Sequence, residues 1–370
     1  MIKVTYIISD INKASAFEWI ALHLDRKKIE LSFILLNPDE SYLENFLLEN
    51  SVNVTRIICR SKKDWPKAWF QLYLLLKKRK PEVIHCHLIQ ANILGLTAGW
   101  YASIPSRIYT RHHSSIHHFY YKKGIFWDRL SNYFSTKIIA ISPMVKDILK
   151  DWEKVKESKI RFIPHGFLLE KFLTVEEDRI KTIESKYQLE NSSPVVGVIS
   201  RFTEWKGVQY IIPAFKNLLN DYPNAVLTLY NASGEFEDSI KELLKSVPAS
   251  QYRLIKFEND IEAALHSMDI FIHTPIDFHF EAFGQIYIEA LAAKVPSIFT
   301  LSGIAAEFIE DGKNALVVPF KNSDAIYQAM LKILKEDDLK QRLRTNGYAS
   351  VVEKFSLKKM LQELENLYLN

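Results

Sequence analysis

Residues 281–289 read Glu281-Ala-Phe-Gly-Gln-Ile-Tyr-Ile-Glu289, two carboxylates eight positions apart with a Phe-Gly pair just after the first. An apolar, strand-like run, Asp269 to His273, ends shortly before this stretch. Ile286, Ile288, Ala290 and Leu291 continue it with helical character. The segment therefore reads as strand, loop and helix, with Gly284 near the helix start. A helix N-terminus presents free backbone N–H groups and a partial positive charge, which suits a phosphate. Glu281 falls on the loop before that end. Glu289 falls five residues into the helix, roughly 7.5 Å along the axis at about 1.5 Å per residue. A diphosphate at the helix end would have a sugar on one side and a ribose on the other. Carboxylates at those two points each accept hydrogen bonds from hydroxyls. Spacing alone equally describes a solvated helix face. The apolar neighbours Phe280, Phe283, Ile286 and Ile288 argue against that plainer reading.

Working outward, strand and helix patterns alternate along the whole chain. Strand-like runs are Val4–Ile8, Leu31–Leu35, Val52–Ile58, Val83–His85, Ser106–Tyr109 and Lys137–Ile141, with helical stretches between them. The alternation resumes after about residue 190, at Val195–Ile199, Val226–Tyr230, Arg253–Phe257, Asp269–His273, Ser297–Thr300 and Ala315–Val317. Such alternation predicts βαβ units and parallel sheets. The fold class is α/β, with two Rossmann-like domains facing a cleft. Ligands of such sheets bind beyond the carboxyl ends of the strands. The charged connector Leu168–Asn191, with one helical piece, places the domain boundary near residue 170: an N-terminal domain over 1–170 and a second over 171–355. The chain has 370 residues, which suits two domains.

Composition is that of a globular protein, 48% hydrophobic and 25% charged. No apolar run reaches the length of a membrane span, and no secretory leader pattern follows Met1, so a cytoplasmic protein is expected. Cys59 and Cys86 have no metal-ligand spacing and read as buried thiols. The net charge is only +4, but it is unevenly spread. Residues 56–150 hold 17 Lys and Arg against 4 Asp and Glu, whereas residues 151–370 hold 26 against 32. A basic N-terminal half implies an anionic partner surface, nucleic acid and an anionic membrane leaflet both being candidates.

The 281–289 stretch resembles the motif of the family 4 glycosyltransferases: a Glu, seven residues and a second Glu, with Phe-Gly inside. Other phrases share the resemblance. Gly197-Val-Ile-Ser-Arg201-Phe-Thr-Glu-Trp-Lys206-Gly207 is similar to the family's phosphate-binding element, with its Arg and Lys. A leaving nucleoside diphosphate gains negative charge as its bond to the sugar breaks. Two cations there stabilise the transition state most. Arg grips two phosphate oxygens at once, and Lys acts as a point charge. Thr110-Arg-His112 matches the family's Thr-x-His element, with His113 as the alternative. Lys80-Pro-Glu-Val-Ile-His85-Cys-His87 and Ile160-Arg-Phe-Ile-Pro-His165-Gly166 are similar to further family phrases. His85 reads as a core histidine and His87 as a strand-end residue lining the cleft. The chain departs from the family at the first strand's loop, Ser9–Ser15, where relatives are glycine-rich and this chain has no glycine before Gly95.

The resemblance implies a two-domain GT-B enzyme, with an acceptor-binding N-terminal domain, a nucleotide-sugar-binding C-terminal domain and a last helix, 356–370, that returns to the N-terminal domain. It implies a retaining, metal-independent hexosyltransferase that uses a UDP- or GDP-linked sugar as substrate, with no cofactor. The implied catalytic residues are Glu281, His112, Arg201 and Lys206, with Glu281 on the sugar hydroxyls and His112 beside the transferred sugar. The implied donor-binding residues are Phe283, Gly284, Gln285 and Glu289, the last on the ribose. No metal ligands are expected. Four histidines lie between 112 and 118, but neighbouring histidines point to different sides, and no Asp-x-Asp motif is present. The acceptor is expected to be a glycan or a lipid-linked molecule of cell-surface polysaccharide or glycoconjugate synthesis. A peripheral contact with anionic membrane through residues 56–150 would put the protein at the inner face of the cytoplasmic membrane. The segment Ser61-Lys-Lys-Asp-Trp-Pro-Lys-Ala-Trp-Phe-Gln-Leu-Tyr suits that contact. It equally suits a helix packed on the sheet. Rival readings are a nucleic-acid binder, which would leave the carboxylate pair idle, an epimerase, and a non-catalytic GT-B-like interaction protein with an anionic partner.

Overall fold

The computed structural model describes all 370 residues. Strands that are apolar along their whole length, such as Val195-Val-Gly-Val-Ile199, are buried throughout. That is the pattern of parallel sheets covered by helices on both faces. The chain forms two units: Met1–Phe167 together with Leu357–Asn370, and Leu168–Ser356.

The first unit holds β1 (Ile2–Ser9), β2 (Ile29–Asn37), β3 (Asn53–Ile58), β4 (Val83–His87), β5 (Ser106–Arg111), β6 (Lys137–Ala140) and β7 (Ile160–Phe162). Their order in the sheet is β3-β2-β1-β4-β5-β6-β7, every pairing parallel. The second unit holds β8 (Val195–Ile199), β9 (Val226–Tyr230), β10 (Tyr252–Ile255), β11 (Ile270–His273), β12 (Ser297–Phe299) and β13 (Leu316–Val317). Their order is β10-β9-β8-β11-β12-β13, again all parallel. Both sheets thus carry the Rossmann order. The direction of strand succession reverses between β1 and β4 in one and between β8 and β11 in the other. Loops diverge at such a reversal and leave a crevice at the strand ends. The second core packs Val196, Val198, Leu229, Ile270 and Ile272 against Ile211, Phe215, Met330 and Ile333 of the covering helices.

Helix Leu357–Leu369 packs on β1 and on helix Ser15–His23 of the first unit. Its Tyr368 hydroxyl lies 2.5 Å from the Tyr6 hydroxyl and 2.7 Å from His85 Nδ1, all three buried. A polar chain through an otherwise apolar core fixes how that helix seats, because each group would cost free energy if left unpaired.

The sequence pattern does not pick out Ile160–Phe162, a short and mostly exposed edge strand with little apolar alternation. One local expectation is corrected. The connector after residue 168 holds two helices, Glu170–Leu173 and Glu177–Lys186, where one is expected. The segment after residue 115, which the strand and helix pattern leaves unassigned, forms a helical turn, Ile116–Phe119, and then a full helix, Gly124–Phe134. That helix is inverted relative to the usual pattern. It buries Gly124, Asp128, Ser131 and Asn132 and exposes Phe126 at 62% and Tyr133 at 76%.

Candidate active site

The second unit's site is built at its strand reversal. β8 ends at Ile199, and the chain continues through Ser200 and Arg201 into a short 3-10 turn, Glu204–Lys206. Gly207 then turns the chain into helix Val208–Leu218 with a φ of +75°. A Cβ there would stand 1.9 Å from the Thr274 carbonyl oxygen, so the loop after β8 lies against the loop after β11 only because residue 207 has no side chain. β11 ends at His273, and a loop leads to Gly284, which caps helix Gln285–Ala292.

These two loops meet through Lys206 and Glu281. The Lys206 ammonium donates to Glu281 Oε1. His273 Nε2 lies 2.9 Å from the same oxygen. The Glu281 backbone N–H donates to Ser302 Oγ at 3.2 Å, and Ser302 Oγ donates to the Asp277 carbonyl at 2.8 Å. Glu281 is buried. Burial alone would raise its carboxyl, but the Lys206 charge and the His273 hydrogen bond outweigh it and hold the group well below the usual carboxylate range. Burial lowers His273, with Glu281 opposing the shift. Around this pair, His273 Nδ1, Thr274 Oγ1 and Thr203 Oγ1 are buried without hydrogen-bond partners. Native interiors rarely leave such atoms unpaired unless a ligand or water supplies the partner.

Arg201 is exposed and pairs with no carboxylate, so its guanidinium is free for an anion. Gly284 and the exposed Gln285 stand at the helix start, where the first backbone N–H groups have no intrahelical partner. Phe283 is buried, its ring edge-on to Phe355, and its carbonyl accepts from the Ile304 N–H. Glu289 is half-buried within the helix, and its carboxyl makes no hydrogen bond. Burial, reinforced by the Glu262 charge, pushes that carboxyl up to about 7. The structure thus brings Lys206 and Glu281 into contact, sets Gly284 and Gln285 at the adjacent helix start and leaves Glu289 further along the same helix.

In the first unit, His112 follows the end of β5. Its Nε2 is 3.0 Å from His87 Nδ1, and its ring stacks on His165 at 5.6 Å with 9° between the planes. His85 sits deeper, bonded to Tyr368 and, through Nε2 at 2.8 Å, to Thr110. Burial lowers His85 to about 3 and His165 to about 4, so this histidine chain is neutral at ordinary pH. His113 points elsewhere, toward Asp128 on helix Gly124–Phe134. The expectation that these adjacent histidines diverge is met for His112 and His113. It fails for His113 and His117, whose rings both reach Asp128.

His273, Thr203 and Thr274 are the residues sequence reasoning passed over. Only His273 carried a usable cue: a polar residue closing an apolar strand at the topological reversal.

Two parallel Rossmann units, one carrying a cation–carboxylate pair at its strand reversal, define a doubly wound α/β protein. Comparison with known proteins narrows this. The family described as "Glycosyl transferases group 1" matches residues 179–350, and that described as "Glycosyltransferase Family 4" matches residues 19–171. The chain is 29% identical to a capsular polysaccharide biosynthesis glycosyltransferase, CapM of Staphylococcus aureus, over 82% of this chain and 80% of that one. It is 23% identical to the UDP-Gal:alpha-D-GlcNAc-diphosphoundecaprenol alpha-1,3-galactosyltransferase of Escherichia coli, over 98% and 94% of the two chains. Among solved structures, Anabaena HepE in complex with UDP and glucose superposes with a TM-score of 0.84 at 17% identity, covering 99% of both chains. The chain belongs to the family 4 glycosyltransferases and has the GT-B fold. It is a glycosyltransferase.

Proposed function

We propose that the chain moves a hexose, with retention of configuration, from a nucleoside diphosphate sugar to a glycan or lipid-linked acceptor in cell-surface polysaccharide or glycolipid synthesis. The observation that carries this reading is the Lys206–Glu281 pair at the β8/β11 reversal, ringed by the unpartnered polar atoms of His273, Thr274 and Thr203. HepE is described with UDP and glucose, and the Escherichia coli relative is named for UDP-galactose and a diphosphoundecaprenol acceptor. Both support a nucleotide sugar as donor.

In this reading the diphosphate lies at the helix start at Gly284 and Gln285, with Arg201 and Lys206 supplying positive charge. Glu289 accepts from the ribose and Glu281 from the sugar hydroxyls. The acceptor oxygen bonds to the anomeric carbon on the face the leaving group departs from. The sugar–phosphate bond breaks with its electron pair going to the diphosphate, and the acceptor's proton passes to a phosphate oxygen. The cations, not a bound metal, neutralise the leaving group.

An aromatic face of the first unit supports a membrane-borne acceptor. Phe70, Tyr73, Trp69, Tyr101, Trp100 and Phe134 follow one another in ring contact across helices Trp65–Arg79, Ile89–Tyr101 and Gly124–Phe134. Several of these rings are exposed, Phe70 at 55% and Tyr101 at 58%. Lys62, Lys63, Lys67, Lys122 and Lys123 belong to the same or adjoining segments. Aromatic rings with lysines are the composition of a surface that sits at the headgroup level of an anionic leaflet. No helix is long and apolar enough to cross a membrane. In this reading the protein works at the cytoplasmic face of the membrane, and the aromatic, lysine-rich face supports that location.

The test is a thermal-shift series with UDP, GDP and ADP on the wild type and on Arg201→Ala. Arg201 is chosen because it is exposed and unpaired, so its loss leaves the fold intact. One nucleotide class should raise the melting temperature, and Arg201→Ala should weaken its binding roughly tenfold. A folded protein that responds to none of the three would sink the donor assignment.

A further inference from the structure

The geometry points to a divalent transition-metal site, best suited to zinc, made by His113, His117 and Asp128 in the first unit. Their ligand atoms, one per residue, all lie within 4.8 Å of one another. His113 Nε2 is 3.0 Å from Asp128 Oδ1, and His117 Nδ1 is 2.7 Å from Asp128 Oδ2. Ligands about 2.0–2.2 Å from a tetrahedral zinc stand about 3.3 Å apart, so a small widening of the two imidazole–carboxylate separations admits the ion. Two imidazoles and one carboxylate are an ordinary zinc donor set with a fourth position left open. The inference is independent of the donor site, which lies in the other unit.

Three features mark the cluster as built. Arg111 holds Asp128 from behind, with Nη1 3.0 Å from Oδ1 and Nη2 3.1 Å from Oδ2, while its Nε donates to the His113 carbonyl at 3.1 Å. Such outer partners orient a ligating carboxylate. The His117 ring lies flat against Gly124, where a Cβ would stand 2.4 Å from the ring, so the ring is cradled by bare backbone. Charge is the third feature. Arg111 is 2.5 Å from Glu153 as well, and both carboxylates are buried. One buried guanidinium against two buried carboxylates leaves one negative charge in excess. Asn132 donates to Glu153 at 2.7 Å and His118 lies 3.3 Å from it, but neither carries a fixed positive charge. A buried excess charge needs a compensating cation. Protonated imidazole is one answer. A single ion bridging both rings to Asp128 is the other, and it explains why two rings converge on one carboxylate.

The His113 and His117 side chains keep 23% and 15% of their surface open, which gives an ion its way in. The bound ion would tie the segment after β5 and the turn Ile116–Phe119 to helix Gly124–Phe134. That segment also carries His112. Its role is to order this segment, not to act on the donor.

The test uses the full-length, tag-free protein stripped with EDTA and titrated with Co(II), whose visible absorption reports tetrahedral nitrogen and oxygen ligation. The expected result is one equivalent bound with visible bands, lost in both His113→Gln and His117→Gln. Zinc should displace the cobalt. At about 100 times its dissociation constant it should raise the wild-type melting temperature by roughly 5–10 °C and leave the variants unmoved. Two variants are used so that a folding defect in one leaves the other as readout. Absence of cobalt bands, or bands and zinc shifts that persist in both variants, would overturn the site and assign the compensating charge to protonated histidine.

Discussion

Lys206 and Glu281, 75 positions apart in the chain, form one ion pair, with His273 as the carboxylate's second partner. The two residues that the family resemblance sends to the diphosphate and to the sugar therefore neutralise each other. Each holds the other in place, and an arriving diphosphate must draw Lys206 partly away from Glu281. Removing one partner of a buried pair strands a charge, which costs about 3 kcal/mol or more, whereas removing both costs less. Lys206→Met should accordingly be less stable in urea unfolding than Lys206→Met combined with Glu281→Gln. Both variants should lose at least about a hundredfold in turnover. Equal stability of the single and double variants would show that the pair is not coupled.

The two glutamates of the motif titrate in opposite directions. Glu281 is held below its ordinary range, so its contribution to stability is present at neutral pH and is lost only as pH falls below that range. Glu289 is pushed up to about 7. Its folded state binds more protons than the unfolded chain between about pH 4.5 and 7, so stability falls as pH rises through that window, by on the order of 3 kcal/mol. Glu289→Gln should remove this decline, read as melting temperature against pH. Ribose hydroxyls donating to Glu289 favour its ionised form. Nucleotide affinity should therefore rise from pH 6 to 8 in the wild type and stay level in Glu289→Gln, by calorimetry.

Much of this architecture is legible in the chain because fully buried parallel strands leave unbroken apolar runs, as at Val195–Ile199. The site is legible where chemistry sits close in sequence: Glu281, Gly284 and Glu289 share one loop and helix. The Lys206–Glu281 contact is not, because it depends on which strands adjoin at the reversal. Helix Gly124–Phe134 escapes for a different reason. Its buried face is Asp128, Ser131 and Asn132, which serve Arg111, Glu153 and neighbouring backbone, and its exposed face is aromatic. Reading apolar as inside reverses it. The same reversal hides the convergence of His113 and His117 on Asp128.

Gly207 is where the donor loop depends on a missing side chain. Gly207→Ala meets both a left-handed φ and the Thr274 carbonyl. Gly312 also has a positive φ, +68°, but nothing lies within 4 Å of a Cβ built there. Gly312→Ala should therefore cost only the conformational penalty, about 1–2 kcal/mol. Gly207→Ala should cost at least twice as much in chemical unfolding, because the Thr274 loop must also shift. It should further weaken nucleotide binding, since Lys206 is the residue just before it. Equal costs for the two variants would show that the loops yield freely at that contact.

The aromatic face of the first unit makes a prediction separable from catalysis. Trp100 is 48% exposed; Phe126, 62% exposed, adjoins this face through Trp127, whose ring meets Trp65 at the start of helix Trp65–Arg79, so charging either leaves the cores intact. Trp100→Glu and Phe126→Glu should each reduce co-sedimentation with vesicles containing phosphatidylglycerol, and the double variant should abolish it. Binding by the wild type should weaken as salt rises, because lysines meet anionic headgroups within a Debye length of about 10 Å at 0.1 M. Nucleotide-induced thermal shifts should be the same in all these variants, since the substitutions lie outside the unit that holds Lys206 and Glu281. Wild-type protein that stays in the supernatant at low salt would remove the membrane contact and direct the acceptor search to free glycans. Vesicle binding that survives the double variant would move the contact to another face of the protein.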